Sequence, residues 1–240
     1  MKWNILLLNL IKSKINNQQI GEDEGMIIFL NPFTYLCLRN RKELISKCSR
    51  IYIDGIWLCY FLKWFGVVDT PRVSFDNSSL APIVFTKAMT ENKRVALIGS
   101  DENVAKQFLN YVKKQYPQLC IVYSRSGFFS SETEVNNCYK KLIGYKADIV
   151  IVGMGALNQE EFLAGLFSNG WNGVGYSCGG FMHQTSSKGH HYYANWVNKF
   201  NLRFVYRIWD EPKLIKRYTL DYMRFVIVFI CDYFLSRKTK

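Results

Sequence analysis

Residues 148–153 read Asp-Ile-Val-Ile-Val-Gly, and the fold class follows from this stretch. Its four apolar positions are consecutive and β-branched, and no polar residue alternates with them. Such a run is typical of a strand buried on both faces, as in a parallel sheet covered by helices. Residues 95–98, Val-Ala-Leu-Ile, form a second run of this kind. Together the two runs predict an α/β protein with a mainly parallel sheet.

On either side of these runs, short β-branched segments alternate with segments of helical spacing. The short segments predict core strands at residues 26–31, 50–54, 94–99, 119–124, 148–153 and 173–178. The intervening segments predict helices at residues 32–47, 55–65, 77–91, 103–116, 132–144 and 158–167. The expected architecture is Rossmann-like, with helices on both faces of the sheet and ligands beyond the carboxyl ends of the strands.

The N-terminal apolar run at residues 5–8 is too short to cross a membrane, and no small-residue cleavage site follows it. We therefore expect a further strand there.

The chain is basic, with a formal net charge of +12, which predicts an anionic partner such as nucleic acid, lipid headgroups or a phosphorylated substrate. Half of this charge lies in residues 199–240. A helix predicted at residues 212–233 carries a basic face and an opposite aromatic face, which is typical of a membrane interface. The aromatic face includes Tyr218, Tyr222, Phe225 and Phe229. The alternative is a helix packed on its own domain or on a second copy. We therefore divide the chain into a Rossmann-like catalytic domain, residues 1–198, and a membrane-associating helical appendage, residues 199–240.

The seven cysteines are odd in number and form no Cys-x-x-Cys pair, which argues against a zinc site or a disulfide framework and fits a reducing cytosol. The sequence contains no Asp-x-Asp motif and no P-loop, and its three histidines lack ligand spacing. We therefore expect no metal and no cofactor. The charge of a leaving group would then be neutralised by arginine, lysine and helix N-termini.

Candidate chemical residues follow the predicted strands. Asp54 ends the second strand and precedes a glycine, a position that suits a general base, although a helix cap is an equal alternative. Arg72 lies in a loop where it could contact a phosphate, or simply lie on the surface. Gly99 opens a helix whose N–H groups could receive phosphate oxygens. The stretch at residues 153–161 combines close-approach glycines with Gln159 and Glu160, which could bind a sugar or a base.

In this order the residues resemble the WecG/TagA/CpsF glycosyltransferase family. The resemblance covers about residues 26–224 and rests on short motifs that are specific only as an ordered set. The motifs are Leu30-Asn31-Pro32, Asp54-Gly55, Arg72-Val73, Ile98-Gly99, Gly127-Phe128, Gly153-x-Gly155-x3-Gln159-Glu160, Gly179-Gly180, and Tyr206-Arg207-x3-Glu211-Pro212-x4-Arg217-Tyr218.

The resemblance implies an inverting, metal-independent transfer of a sugar from a UDP donor to a sugar on undecaprenyl diphosphate, in cell-surface polysaccharide or teichoic acid synthesis. It implies Asp54 as the base and Arg72 as a second catalytic residue. The candidate substrate-binding residues are Asn31, Gly99, Gly127, Phe128, Gly153, Gly155, Gln159, Glu160, Gly179, Arg207, Arg217 and Arg224. The expected partners are the UDP-sugar, the lipid-linked acceptor and an anionic membrane surface, without nucleic acid; a homo-oligomer is left open. The expected location is the cytoplasm, peripheral on the inner face of the membrane.

Three departures from the family pattern leave the donor sugar open between an N-acetylmannosamine type, a hexose and a uronic acid. They are Phe29 in place of a threonine, His183 in place of an aspartate, and Asn158 in a run that usually holds a proline. Two other classes stay as alternatives. A nicotinamide-dependent oxidoreductase would need a G-x-G-x-x-G after the first strand, which is absent. A non-catalytic module that binds membrane or nucleic acid would explain the basic tail but not the residues at the strand ends.

Overall fold

The computed structural model describes residues 5–15, 19–188, 206, 208 and 215–237. Within these residues six strands form one sheet in which every neighbouring pair is parallel. The strands are β1 (Met26–Leu30), β2 (Arg50–Ile53), β3 (Arg94–Gly99), β4 (Cys120–Arg125), β5 (Ile149–Gly153) and β6 (Val174–Ser177). Their order across the sheet is β2-β1-β6-β5-β3-β4. The predicted parallel α/β sheet is confirmed, and the strand bounds differ from prediction by one residue or none at each end.

Helices cover both faces of this sheet. They are α1 (Ile5–Lys14), α2 (Pro32–Leu38), α3 (Lys42–Lys47), α4 (Ile56–Trp64), α5 (Leu80–Thr90), α6 (Glu102–Gln115), α7 (Glu132–Gly144), α8 (Asn158–Ser168), α9 (Phe181–Lys188) and α10 (Tyr222–Arg237). A π-helical turn, Arg217–Asp221, leads into α10.

Within the described part of the chain, the buried hydrophobic side chains form two clusters, one on each face of the sheet. In β1, Ile28 and Leu30 join the cluster under α1–α4, α7, α8 and α10, whereas Ile27 and Phe29 join the cluster under α5, α6 and α9. Both sides of the strand are therefore apolar, which explains why its sequence does not alternate. Each fully buried aliphatic or aromatic side chain contributes about 1.5–3 kcal/mol relative to an exposed one.

The strand predicted at residues 5–8 is wrong, because this segment lies in helix α1. Leu7, Leu8 and Ile11 are buried at helical spacing and join the first cluster, where α1 packs against α10. The run could not be read as a helical face without knowing that α10 would cover it.

The single helix predicted at residues 32–47 is also wrong, since α2 and α3 are separate helices. Arg41 lies between them outside the helical region (φ −119°, ψ 57°). Its side chain forms an ion pair with Glu161 at the start of α8. The break lets the chain turn back so that α3 packs along α8.

The C-terminal helix packs on its own domain, one of the alternatives left open by its sequence. Phe225 and Phe229 are fully buried in the first cluster, together with residues of α1 and α2. Residues 212–214 of the predicted helix lie outside the described part of the chain, and the boundary at residue 198 stays a prediction. Among the described helices, none combines the length and the apolar character needed to cross a membrane.

Candidate active site

The carboxyl ends of all six strands open into one cavity of about 450 Å³. In a parallel α/β sheet this edge is where ligands bind. Each strand contributes lining residues at or just after its end. Representative lining residues, one for each strand in chain order, are Asn31, Asp54, Ser100, Gly127, Gly155 and Gly179.

Asp54 is held at the cavity by its backbone. Its N–H donates to the carbonyl of Leu30 at 2.8 Å, which continues the β1–β2 pairing by one residue. Gly55 then lies against the turn after β1, where an added Cβ would come within 3.0 Å of Asn31 Cβ. Only a glycine therefore lets the two turns approach, and this approach brings Asp54 beside Asn31.

Arg72 is brought to the same edge by an isolated parallel bridge. Arg72 pairs with Ile53, the last residue of β2, and the N–H of Val73 donates to the Ile53 carbonyl at 2.9 Å. The loop thus adds a short strand segment beside Asp54. The bridge places a guanidinium and a carboxylate at one edge of the cavity, a pairing that suits proton abstraction beside an anionic leaving group.

Asn31 caps helix α2. Its Oδ1 accepts from the N–H groups of Phe33 and Thr34 at 3.0 Å each, and its own N–H donates to Thr34 Oγ1 at 2.7 Å. The cap uses the amide oxygen of Asn31. Its Nδ2 is then the group that can donate to a ligand in the cavity.

Close contacts among three glycines shape the floor of the cavity. A Cβ on Gly99 would lie 2.5 Å from the Gly153 carbonyl oxygen, and a Cβ on Gly127 would lie 2.9 Å from Gly99 Cα. Gly127 and Gly153 line the cavity, but Gly99 does not. Ser100 lines it instead, in a left-handed conformation (φ 54°) fixed by its N–H donating to the Gly153 carbonyl at 2.9 Å.

Gln159 lines the cavity with its amide fixed in place. Its Nε2 donates to Glu160 Oε1 at 2.8 Å, and its Oε1 accepts from the N–H of Gly179 at 3.0 Å. This pair of contacts ties the start of α8 to the glycine turn after β6. Gly155, Phe128 and Gly179 lie around the same opening.

Glu160 does not line the cavity. It is fully buried, and its Oε2 accepts from the N–H of Leu157 at 2.8 Å. Leu157 has a positive φ of 72°, a conformation that costs a non-glycine residue about 1–3 kcal/mol. Burial raises the pKa of the Glu160 carboxyl, and the hydrogen bonds that this carboxyl accepts offset part of the rise. Glu160 therefore holds the strained turn and the Gln159 amide.

The appendage contributes Arg217 to the cavity. Its guanidinium lies 4.0 Å over the ring of Phe33, and both residues line the opening. Arg224 is exposed on α10 and is not a lining residue. Arg207 lies outside the described residues.

A family model described as the glycosyl transferase WecG/TagA/CpsF family matches residues 6–239. This chain belongs to the WecG/TagA/CpsF family. It is 33% identical over 227 residues, 93% of this chain and 94% of the other, to a UDP-Gal:alpha-D-GlcNAc-diphosphoundecaprenol beta-1,4-galactosyltransferase of Shigella boydii. It is also 24% identical over 155 residues, 63% of this chain and 58% of the other, to an N-acetylglucosaminyldiphosphoundecaprenol N-acetyl-beta-D-mannosaminyltransferase of Bacillus spizizenii. The chain is therefore a glycosyltransferase, and the resemblance found in its motifs is confirmed.

The cavity of this WecG/TagA/CpsF member also contains aromatic and polar residues that we did not predict as site residues. Trp57 follows Asp54 by three residues, and Tyr218 and Tyr222 come from the appendage with ring centroids 5.1 Å apart. Asp76 and Gln184 also line the opening. The sequence assigned the two tyrosines to an aromatic helix face, but only the docked appendage shows that this part of the face meets the cavity.

In the described part of this glycosyltransferase, no group of three or more His, Cys, Asp or Glu residues is arranged to hold a metal ion.

Proposed function

We propose that this glycosyltransferase moves a hexose, with galactose as the first candidate, from a UDP donor to a GlcNAc carried on a polyprenyl diphosphate. The observation that carries the proposal is the near-full-length similarity to a relative whose name states UDP-Gal as donor and diphosphoundecaprenol-linked GlcNAc as acceptor. The second relative also carries undecaprenyl-diphosphate-linked GlcNAc in its name but transfers a different sugar. The shared acceptor chemistry therefore has stronger support than the donor sugar.

The reaction is a single displacement. Asp54 takes the proton of the acceptor hydroxyl as its oxygen attacks the anomeric carbon. The bond from that carbon to the diphosphate breaks on the opposite side, and its electron pair leaves on the UDP β-phosphate oxygen. A positioned base of this kind contributes about 10²–10⁴-fold to the rate. The anomeric configuration is inverted, and the product serves cell-envelope polysaccharide synthesis.

The negative charge on UDP is balanced by side chains of this chain. Arg72 and Arg217 line the cavity, and each can make charge-assisted contacts to a diphosphate. The N-terminus of α6 does not take the phosphate role expected for it, because the Asp101 side chain accepts from the N–H groups of Asn103 and Val104 at 3.0 Å each.

The two arginines support a metal-independent reaction. We expect excess EDTA to leave activity intact, and loss restored by Mg²⁺ or Mn²⁺ would contradict this mechanism.

The enzyme works at the inner face of the cell membrane, held there by an exposed two-helix surface. This surface consists of Trp57, Tyr60 and Trp64 on α4 with Leu220, Met223, Ile227 and Phe234 at and along α10, all at least 38% exposed. The helices touch along an aromatic seam in which Phe61 of α4, and Phe65 directly after it, contact Phe225, Phe229 and Tyr233 of α10. Tryptophan and tyrosine favour the membrane–water interface, and exposed Lys216 and Arg224 add attraction to anionic lipid.

A donor screen tests the function. Purified protein is incubated with single UDP-sugars and a GlcNAc diphosphate on a short lipid, and the lipid product is analysed by mass spectrometry. We expect a mass increase of one hexose with UDP-galactose. An increase only with UDP-N-acetylmannosamine or a UDP-uronic acid would correct the donor. No product with any donor, together with thermal stabilisation by NAD and not by UDP, would favour the oxidoreductase alternative.

A further inference from the structure

Helix α10 is apolar on two opposite sides. Phe225 and Phe229 face the core and are buried, while Met223 and Ile227 on the other side are more than 60% exposed. A helix with apolar residues all round can pack in more than one register, because a shift along its axis replaces one apolar side chain by another. Hydrophobic burial alone therefore defines the position of α10 only weakly.

A buried polar cluster fixes the position of α10 more specifically than hydrophobic burial does. Asp232 is fully buried and accepts from Arg39 Nε at 2.8 Å, Arg39 Nη2 at 2.7 Å and Tyr35 Oη at 2.9 Å. Both donors lie on or directly after α2. Burial and the neighbouring Asp232 raise the pKa of Tyr35, so this phenol stays a neutral donor. A buried ion pair is weak evidence for stability, but it is a well-attested means of fixing register.

The same helix α2 meets the appendage again at its other end. Phe33, in the first turn of α2, lies under the guanidinium of Arg217 in the cavity. Arg217 precedes Asp232 by fifteen residues, across the π-helical turn. One short helix thus contacts the appendage both at the cavity and at the buried aspartate.

We propose that Asp232, held by Arg39 and Tyr35, is a positioning residue that sets the register of α10 and thereby delivers Arg217 to the donor diphosphate. The proposal rests on the proposed function, which gives Arg217 its task. A slip of one helical turn would move Arg217 by ~5.4 Å, beyond ion-pair contact with a diphosphate placed for reaction. The register of α10 would therefore control turnover more than folding.

The test replaces the whole cluster by apolar groups of similar size, Tyr35→Phe with Arg39→Met and Asp232→Leu. Because apolar replacement of a buried pair is often neutral for stability, we expect this triple variant to fold with a melting temperature near that of the wild type. We expect its kcat to fall about 10²-fold, as it does in Arg217→Ala, since both lose one charge contact to the leaving group.

Combining the triple variant with Arg217→Ala should lower kcat little further, because both changes remove the same contact. A matched control exists at the opposite end of the sheet, where buried Asp23 accepts from Arg50 at 2.8 Å, from Tyr52 at 3.0 Å and from Tyr176 at 3.1 Å. The control variant Tyr52→Phe with Tyr176→Phe, Arg50→Met and Asp23→Leu should leave kcat unchanged. Additive losses with Arg217→Ala, or an equal loss in the control, would overturn the proposal.

A distance measurement keeps the inference separate from the proposed function. Spin labels at Lys113→Cys on α6 and Met223→Cys on α10 are used after the exposed Cys120 and Cys231 are replaced by serine. The triple variant should show a shifted or second distance. An unchanged distance would overturn the register role even if kcat fell, and an unchanged kcat would do so even if the distance shifted. If the wild type transfers no sugar, the proposed function fails, while the distance still tests the register.

Discussion

Asp54 and its neighbours show how single positions build the cavity. The backbone of Asp54 is fixed by pairing to β1, and Gly55 lets its turn approach Asn31. The cap contacts of Asn31 and the contacts of Gln159 orient two further amides. The polar groups at this edge are thus held by local backbone geometry before any ligand binds.

Replacing Asp54 by asparagine should remove the base and keep the shape of the cavity. We expect Asp54→Asn to lower turnover by at least about 10²-fold, the low end of general-base catalysis. UDP affinity, measured by calorimetry, should stay near that of the wild type because the diphosphate is held by other groups. A variant that transfers sugar at the wild-type rate would show that Asp54 serves only the fold.

Glu160 should make stability depend on pH. Burial raises its pKa above the ordinary value of 4.5, so the folded protein resists its ionisation. Stability is full where the unfolded chain is also protonated and is lost as pH rises through the raised pKa. Glu160→Gln has no such loss. The melting temperature of the variant minus that of the wild type should therefore increase between about pH 4 and about pH 7. A difference that stays constant or decreases would contradict the buried, proton-retaining Glu160.

The strand-end rule explains which site residues could be predicted. It located Asn31, Asp54 and Gly153, which line the cavity and end or directly follow an apolar run. Gln159 lies six residues beyond Gly153 and was proposed instead from the glycine-rich stretch that contains it. It could not separate Gly99, which packs under the floor, from its neighbour Ser100, which lines it. The spacing of apolar residues in the sequence indicates where the turn lies. The backbone conformation within the turn decides which of its residues faces the ligand.

Helices α1 and α10 show what the periodicity of apolar residues could not predict. Each is apolar, and each packs against the other. The aromatic face predicted for the C-terminal helix includes Phe225 and Phe229, which turned out to face the core rather than a membrane. Because a second apolar strip lies opposite, no count of apolar residues along α10 could decide which side is buried.

This arrangement makes α10 part of the folded domain. Phe229→Ala should destabilise the protein by about 3–5 kcal/mol, the cost of emptying a fully buried aromatic site. Phe234→Ala on the same helix should cost little, since that side chain is 57% exposed. Urea unfolding of both variants gives the two values. Equal effects would show that α10 is not docked as described.

At the scale of the whole molecule, the two-helix surface proposed for membrane binding reaches the cavity at Trp57, which belongs to both. Trp64→Ala with Ile227→Ser should reduce co-sedimentation with vesicles containing phosphatidylglycerol. Ile83→Ser, on α5 against the opposite face of the sheet, is the control and should not. Binding should weaken with salt, because each basic residue near the surface contributes about 1 kcal/mol. Equal sedimentation of both variants would remove this surface from membrane binding.

The anomeric configuration of the product tests the chemistry of the strand-end cavity. UDP-galactose, which is α-linked, is supplied with the GlcNAc diphosphate lipid, and the new glycosidic bond is assigned by proton NMR. A single displacement assisted by Asp54 predicts a β-linked galactose. An α-linked product would require two successive displacements and a nucleophile that this mechanism does not contain, and would contradict it.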